Sequence, residues 1–174
     1  MRRLSRIAAI LSAIMLSGCG GSGETSSSTN VPKVTTGVIG ETINNGYWEL
    51  TVNSAGYHDS IISMYGNTMT PYTEGNVFLV VNIKASNLSY PNEQAQDPWN
   101  LSGFIDPNGK KGSVSFRSLT IADGISLDPL LIGAETIGNY ANEVPVGSSG
   151  WKFQFGPGCA YGCSKGYIEV DLGL

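Results

Sequence analysis

Histidine is almost missing from this chain: His58 is the only one in 174 residues. Charge is sparse, at 14% of residues, and basic charge is sparser still, with 10 Lys and Arg against 14 Asp and Glu. Three of those basic residues, Arg2, Arg3 and Arg6, stand in the first six positions. A chain without a basic patch is not built to hold nucleic acid, whose phosphates require one. Charge also gives it no hold on anionic lipid. Beyond the N-terminus no segment sustains helical apolar spacing over a dozen residues. Gly (23) and Pro (8) make up 31 of the 174 residues, which disfavours a helical bundle. There is no phosphate-binding Gly-rich loop, and the acids are scattered with no sign of a catalytic carboxylate pair. No enzyme chemistry is legible.

What is present begins with the leader. Met1–Arg6 is basic, and Ile7–Leu16 is an apolar run of 10 residues. That run is short of the roughly 20 residues a membrane-crossing helix needs. The layout is that of a secretory signal peptide. Its end, Leu16-Ser17-Gly18-Cys19, resembles the bacterial lipobox, in which the cysteine thiol is diacylglycerated and becomes the new N-terminus after cleavage. The expectation is a signal peptide over 1–18 and a lipid on Cys19. Two acyl chains anchor stably, at about 0.8 kcal/mol per buried CH₂. Removal of 1–18 takes the basic count from 10 to 7 against 14 acids, a net charge of −7. Residues 19–36 are rich in Gly, Ser and Thr and read as a flexible tether, reaching about 55 Å at most. The expected location is the extracytoplasmic side of a membrane, with no cofactor.

Residues 37–174 read as one domain, long enough to bury a core. After residue 18 the chain has 33 β-branched residues (11 Val, 11 Ile, 11 Thr) against 7 Ala, a strand-forming bias. Apolar and polar residues alternate in Tyr47–Asn53, Val77–Ser86, Trp151–Phe155 and Tyr167–Leu172. Residues 101–106 and 113–121 give two further strands. Asn44-Asn45-Gly46, Asp106-Pro107-Asn108-Gly109 and Gly147-Ser148-Ser149-Gly150 carry turn chemistry between them. Asn92–Gln96 has room for one helical turn, which Pro98 is expected to stop. Seven or eight short strands in this length predict an antiparallel β-sandwich.

Four stretches are similar to an Ig-like domain of unknown function found in many Gram-positive lipoproteins, a family related to the secreted mycobacterial immunoprotective antigen. They are Gly40-Glu41-Thr42 with Tyr47–Ser54, then Glu74–Ile83, then Asp106–Lys110, then Glu143-Val144-Pro145. The resemblance covers 37–174 and implies an extracellular Ig-like β-sandwich behind a lipid anchor. It brings no catalytic residues.

Several residues are candidates for chemistry. With Cys19 lipidated, Cys159 and Cys163 are the only remaining thiols, and a disulfide is the simplest reading outside the cytoplasm. A metal or redox role for the pair is the alternative. His58, Met64 and Met69 fall within 12 residues and are the only His and Met of the mature chain. Imidazole and thioether suit Cu(I), although methionines also fill irregular packing gaps. His58-Asp59-Ser60 is no triad, because consecutive residues of an extended chain point apart. Asp106-Pro107-Asn108-Gly109 lacks the later acid of a calcium loop and reads as a turn. Tyr65, Tyr72, Tyr90, Trp99 and Tyr161 fall in expected loops or strand ends, where such residues either make contact surfaces or plug the sandwich. The leading expectation is a non-catalytic envelope lipoprotein whose Ig-like module touches a protein or glycan. The alternative is a copper or small-ligand binder using the His58–Met69 loop.

Overall fold

Alternation marks the strands that carry most of this chain's core. The computed structural model describes residues 33–90, 97–112, 120–156 and 166–174. Trp48, Leu50 and Val52 are fully buried while Glu49 and Thr51 between them are not, and this stretch begins β3 (Trp48–His58). The same logic builds β6 (Asn76–Asn87), β9 (Lys152–Phe155) and β10 (Tyr167–Asp171). The remaining strands are β1 (Val34–Val38), β2 (Thr42–Asn44), β4 (Ile61–Ile62), β5 (Thr68–Met69), β7 (Ser102–Ile105) and β8 (Glu135–Pro145).

Eight strands form two four-stranded sheets, in the orders β1-β10-β9-β7 and β2-β3-β6-β8, and β4 with β5 forms a separate ribbon. The chain is all-β, a sandwich whose main core collects inward side chains of both sheets. Trp48, Leu50, Leu79, Val81 and Ile83 come from one sheet, and Phe104, Phe153, Phe155, Ile168 and Val170 from the other. Two aromatic groups knit the layers. Trp48 stacks on Tyr90 at 5.1 Å and meets Phe155 edge-on at 5.7 Å. Phe104, Tyr140 and Phe153 sit with their ring centres 5.5–5.8 Å apart. Each such pair adds about 0.5–1.5 kcal/mol beyond the area it buries.

Three local outcomes differ from the sequence expectation. Strand β1 starts at Val34, inside the stretch assigned to the tether, and pairs parallel with β10 from Val34↔Tyr167 to Val38↔Asp171. Val-Thr-Thr is β-branched but carries no apolar alternation, so its strand propensity is realised by pairing with the edge of β10. Pro98 opens a helical turn that the sequence did not suggest: α1 (Pro98–Leu101) starts there, with Asp97 accepting from the Asn100 amide as N-cap. Proline suits the first helical position because its missing N–H has no partner there. Strand β8 has no clean alternation, because Thr136, Gly138 and Tyr140 fill its inward positions and exposed Ile137 breaks the polar face. It is nevertheless the full-length partner of β6. Gly138 is required there: a Cβ would stand 2.6 Å from the backbone of Ile125, whose segment runs beside β8 through a parallel bridge between Gly124 and Asn139. The expected strand at 113–121 and turn at 92–96 lie largely outside the described residues. Of the former, Ile121 bridges Ser63.

Candidate functional site

The second sheet carries a smaller core on its outer side. Phe78 and Ala141 face away from the sandwich interior and pack with Ile61 and Ile121, with Met69 and Val80 against them. The β4–β5 ribbon covers this cluster. Its turn closes on itself: the Ser63 amide donates to Asn67 O at 2.8 Å, and Ser63 Oγ accepts from the amides of Tyr65 and Asn67. Ile62, Met64 and Tyr65 are left projecting into solvent, and Tyr65 is 75% exposed. Tyr72, 76% exposed, follows the ribbon. Its position is set by Glu143 of β8, whose carboxylate accepts from the amides of Tyr72 at 2.9 Å and Thr73 at 3.3 Å. A carboxylate on two amides is a charge-assisted clamp. In Glu143→Ala the Tyr72 and Thr73 amides are expected to exchange about tenfold faster, a local loss of about 1.4 kcal/mol. Amide hydrogen exchange checks this; unchanged rates would show the clamp to be idle.

Beside the ribbon lies an open groove of about 340 Å³. Its lining includes the apolar side chains Ile61, Ile62, Val80 and Ile121 and the polar ones His58, Ser60, Asp123 and Asn139. Gly56 leaves space on the same face, and His58 Nε2 lies 3.6 Å from where its Cβ would stand. Asp123 has φ +53°, a left-handed backbone that Asp tolerates better than most residues. Asn139 is held firmly by a ladder of amides. Asn53 Nδ2 donates to Asn82 Oδ1 at 2.8 Å, Asn82 Nδ2 to Asn139 Oδ1 at 2.8 Å, and Asn139 Nδ2 to Ala122 O at 3.3 Å. Asn53 sits at the register shift between Val52 and Ser54 and faces outward, as alternation with buried Val52 requires.

The sequence candidates separate in space. His58 lines the groove, but neither methionine does. Met64 is 60% exposed on the ribbon turn. Met69 packs into the small outer cluster, its sulfur accepting from the Thr120 hydroxyl at 3.7 Å. Among the described residues no group of three His, Cys, Asp or Glu side chains converges as a metal site. Of the aromatic candidates, Tyr65 and Tyr72 reach solvent. Tyr90 does not: it is 2% exposed and stacked on Trp48. Trp99 is packed against the main core. Both plug the end of the sandwich, because the open Trp48 end exposes ring faces that only another large side chain covers. Asp106-Pro107-Asn108-Gly109 is a turn, with Asp106 Oδ1 accepting from the amides of Asn108 and Lys110, and Gly109 at φ +79°. Cys19, Cys159, Cys163 and Tyr161 lie outside the described residues.

Sequence reasoning passed over Asn53, Asn82, Asn139, Asp123 and Glu143. One signal was available: Asn is poorly suited to strands, yet it occurs in the outward register of three neighbouring ones.

No family model matches the chain, and no curated protein does. Solved structures match in fold. A conserved hypothetical protein from Bacillus anthracis aligns with TM-score 0.51 and 14% identity over 67% of this chain and 87% of that one. The yjhA protein from Bacillus subtilis aligns with TM-score 0.55 and 14% identity, over 79% and 99% of the two chains. The ycdA protein of Bacillus subtilis, described as "a putative lipoprotein", aligns with TM-score 0.50 and 11% identity, over 75% of this chain and 38% of that one. At these identities the likeness is one of fold.

Proposed function

We propose that this chain is a non-catalytic, lipid-anchored module of the bacterial cell envelope that contacts a protein or glycan partner through the ribbon side of its second sheet. The observation that supports this is the polarity of the sandwich. The chain enters at Val34, beside Tyr167 and Gly166, and Asn45 Nδ2 donates to Gly166 O, so the entry lies at the Trp48 end. The groove and Tyr72 lie toward the other end, where His58 pairs with Phe78 and Glu143 holds the Tyr72 loop. The ten residue steps of β3 from Trp48 to His58 separate the two ends by roughly 30 Å. A tether from Cys19 would join the sandwich at the end far from the exposed tyrosines and leave them free for contact. The leader and lipobox support the anchor, as does the description of one fold neighbour as a lipoprotein. In this reading Cys159 and Cys163 form a disulfide in the oxidising exterior.

Cys19→Ala is expected to move the protein from the membrane fraction into the medium. Retention of the variant in membranes would remove the anchor from this reading. Proximity labelling from the anchored protein, compared with Tyr65→Ala/Tyr72→Ala, tests the contact surface: the double variant loses the wild-type labelling set, and an identical set would place the contact elsewhere.

A further inference from the structure

We infer that the groove beside the ribbon is a binding site for a neutral sugar residue of a glycan. This rests on the contact reading above and names the ligand class it takes. The lining mixes two kinds of side chain. Ile62 and Val80 carry its accessible apolar surface, with Ile61 and Ile121 nearly buried beneath, and His58, Asp123 and Asn139 are its hydrogen-bonding groups. A pyranose has the matching shape, a ring with C–H faces and a hydroxyl edge. Pockets that bind small ligands combine apolar walls with a few well-placed polar groups in this way.

Charge narrows the class. Among the described residues the lining contains one carboxylate, Asp123, and no Lys or Arg. An anionic ligand would meet a like charge there with no Lys or Arg among the described residues to answer it. A single carboxylate is too few oxygen ligands for a hard cation. What fits is an uncharged ligand rich in hydroxyls, for which the Asp123 carboxylate is a strong acceptor and the second Nδ2 hydrogen of Asn139 a donor.

The polar rim is also prepared in advance. Asn139 is locked by the ladder from Asn53 through Asn82 and by Ala122 O. The backbone at Asp123 is held by its carbonyl accepting from the Asn139 amide at 2.7 Å. Groups already fixed in their binding geometry lose less entropy when a ligand arrives.

The test is a titration of the full mature protein in lipid nanodiscs, read by calorimetry and by amide chemical shifts. The probes are neutral oligosaccharides, N-acetylglucosamine trimer and galactose, mannose and glucose oligomers, with polygalacturonate as the anionic arm. At least one neutral oligosaccharide is expected to bind, moving the amides of residues 58–62 and 121–123. His58→Ala and Asp123→Asn are each expected to weaken that binding at least tenfold. Asn keeps the left-handed backbone at 123, so Asp123→Asn tests the carboxylate without unfolding the segment. No binding by any neutral probe at millimolar concentration would overturn the proposal. So would tighter binding of polygalacturonate, or binding that both variants retain. If the oligosaccharides fail while Tyr65→Ala/Tyr72→Ala still loses its envelope labelling set, the glycan groove falls and the contact reading stands.

Discussion

Trp48→Ala is expected to cost about 3–5 kcal/mol of unfolding free energy, the range for emptying a large aromatic site in a core. Trp48 is completely buried, stacked on Tyr90 and edge-on to Phe155. Its removal leaves Tyr90 without the ring it covers and opens the end of the sandwich where the chain enters. The indole Nε1 has no acceptor among the described residues, so the residue acts through volume and ring contact. Trp48→Phe should therefore retain much of the stability that Ala loses. Urea denaturation of the mature protein measures both, read as a shift of the midpoint at unchanged slope. A loss under 1.5 kcal/mol for Trp48→Ala would mean the site collapses to fill the gap, against the packing described above.

Asn87→Leu is expected to cost about 3 kcal/mol, by a different route. Asn87 is fully buried at the end of β6. Its Nδ2 donates to Tyr90 O at 3.1 Å and Leu130 O at 2.7 Å, and its Oδ1 accepts from the Tyr90 amide at 2.7 Å. Leu has the same branched arrangement of heavy atoms and a larger volume, so no cavity opens. What is lost is three hydrogen bonds, leaving buried backbone groups whose unmet desolvation costs about 1–3 kcal/mol each. Faster amide exchange should accompany the loss in the 88–90 and 130–134 segments, which Asn87 ties together. Near-wild-type stability would show that water or a rearranged loop satisfies those groups. The two substitutions share Tyr90 as a partner, so their costs should not simply add.

Both sites belong to the entry end of the sandwich, and this division of labour matters for function. The Trp48 end spends its aromatic residues on closing the core. The opposite half leaves Tyr65 and Tyr72 in solvent and holds them with backbone bonds to Ser63 and Glu143. The same residue type thus plugs one end and is displayed at the other. The difference lies in what each faces: Tyr90 lies against the bare ring of Trp48, while the surface beneath the ribbon is already filled by Ile61, Met69 and Phe78.

The sequence by itself determined the β character, most of the sheet strands and the turn at Asp106, because period-two alternation and turn residues are local properties. It also carried the case for the leader and Cys19, which is written in consecutive residues. It could not place Val34–Val38 in a sheet or recognise β8, since each depends on a partner strand far along the chain. Nor could it separate Tyr90 from Tyr65, or His58 from the two methionines. Tertiary structure alone decided those, and it alone assembled the groove from residues 58–62, Val80, 121–123 and Asn139. Alternation says that a side chain leaves the core face, but not what will fold over it.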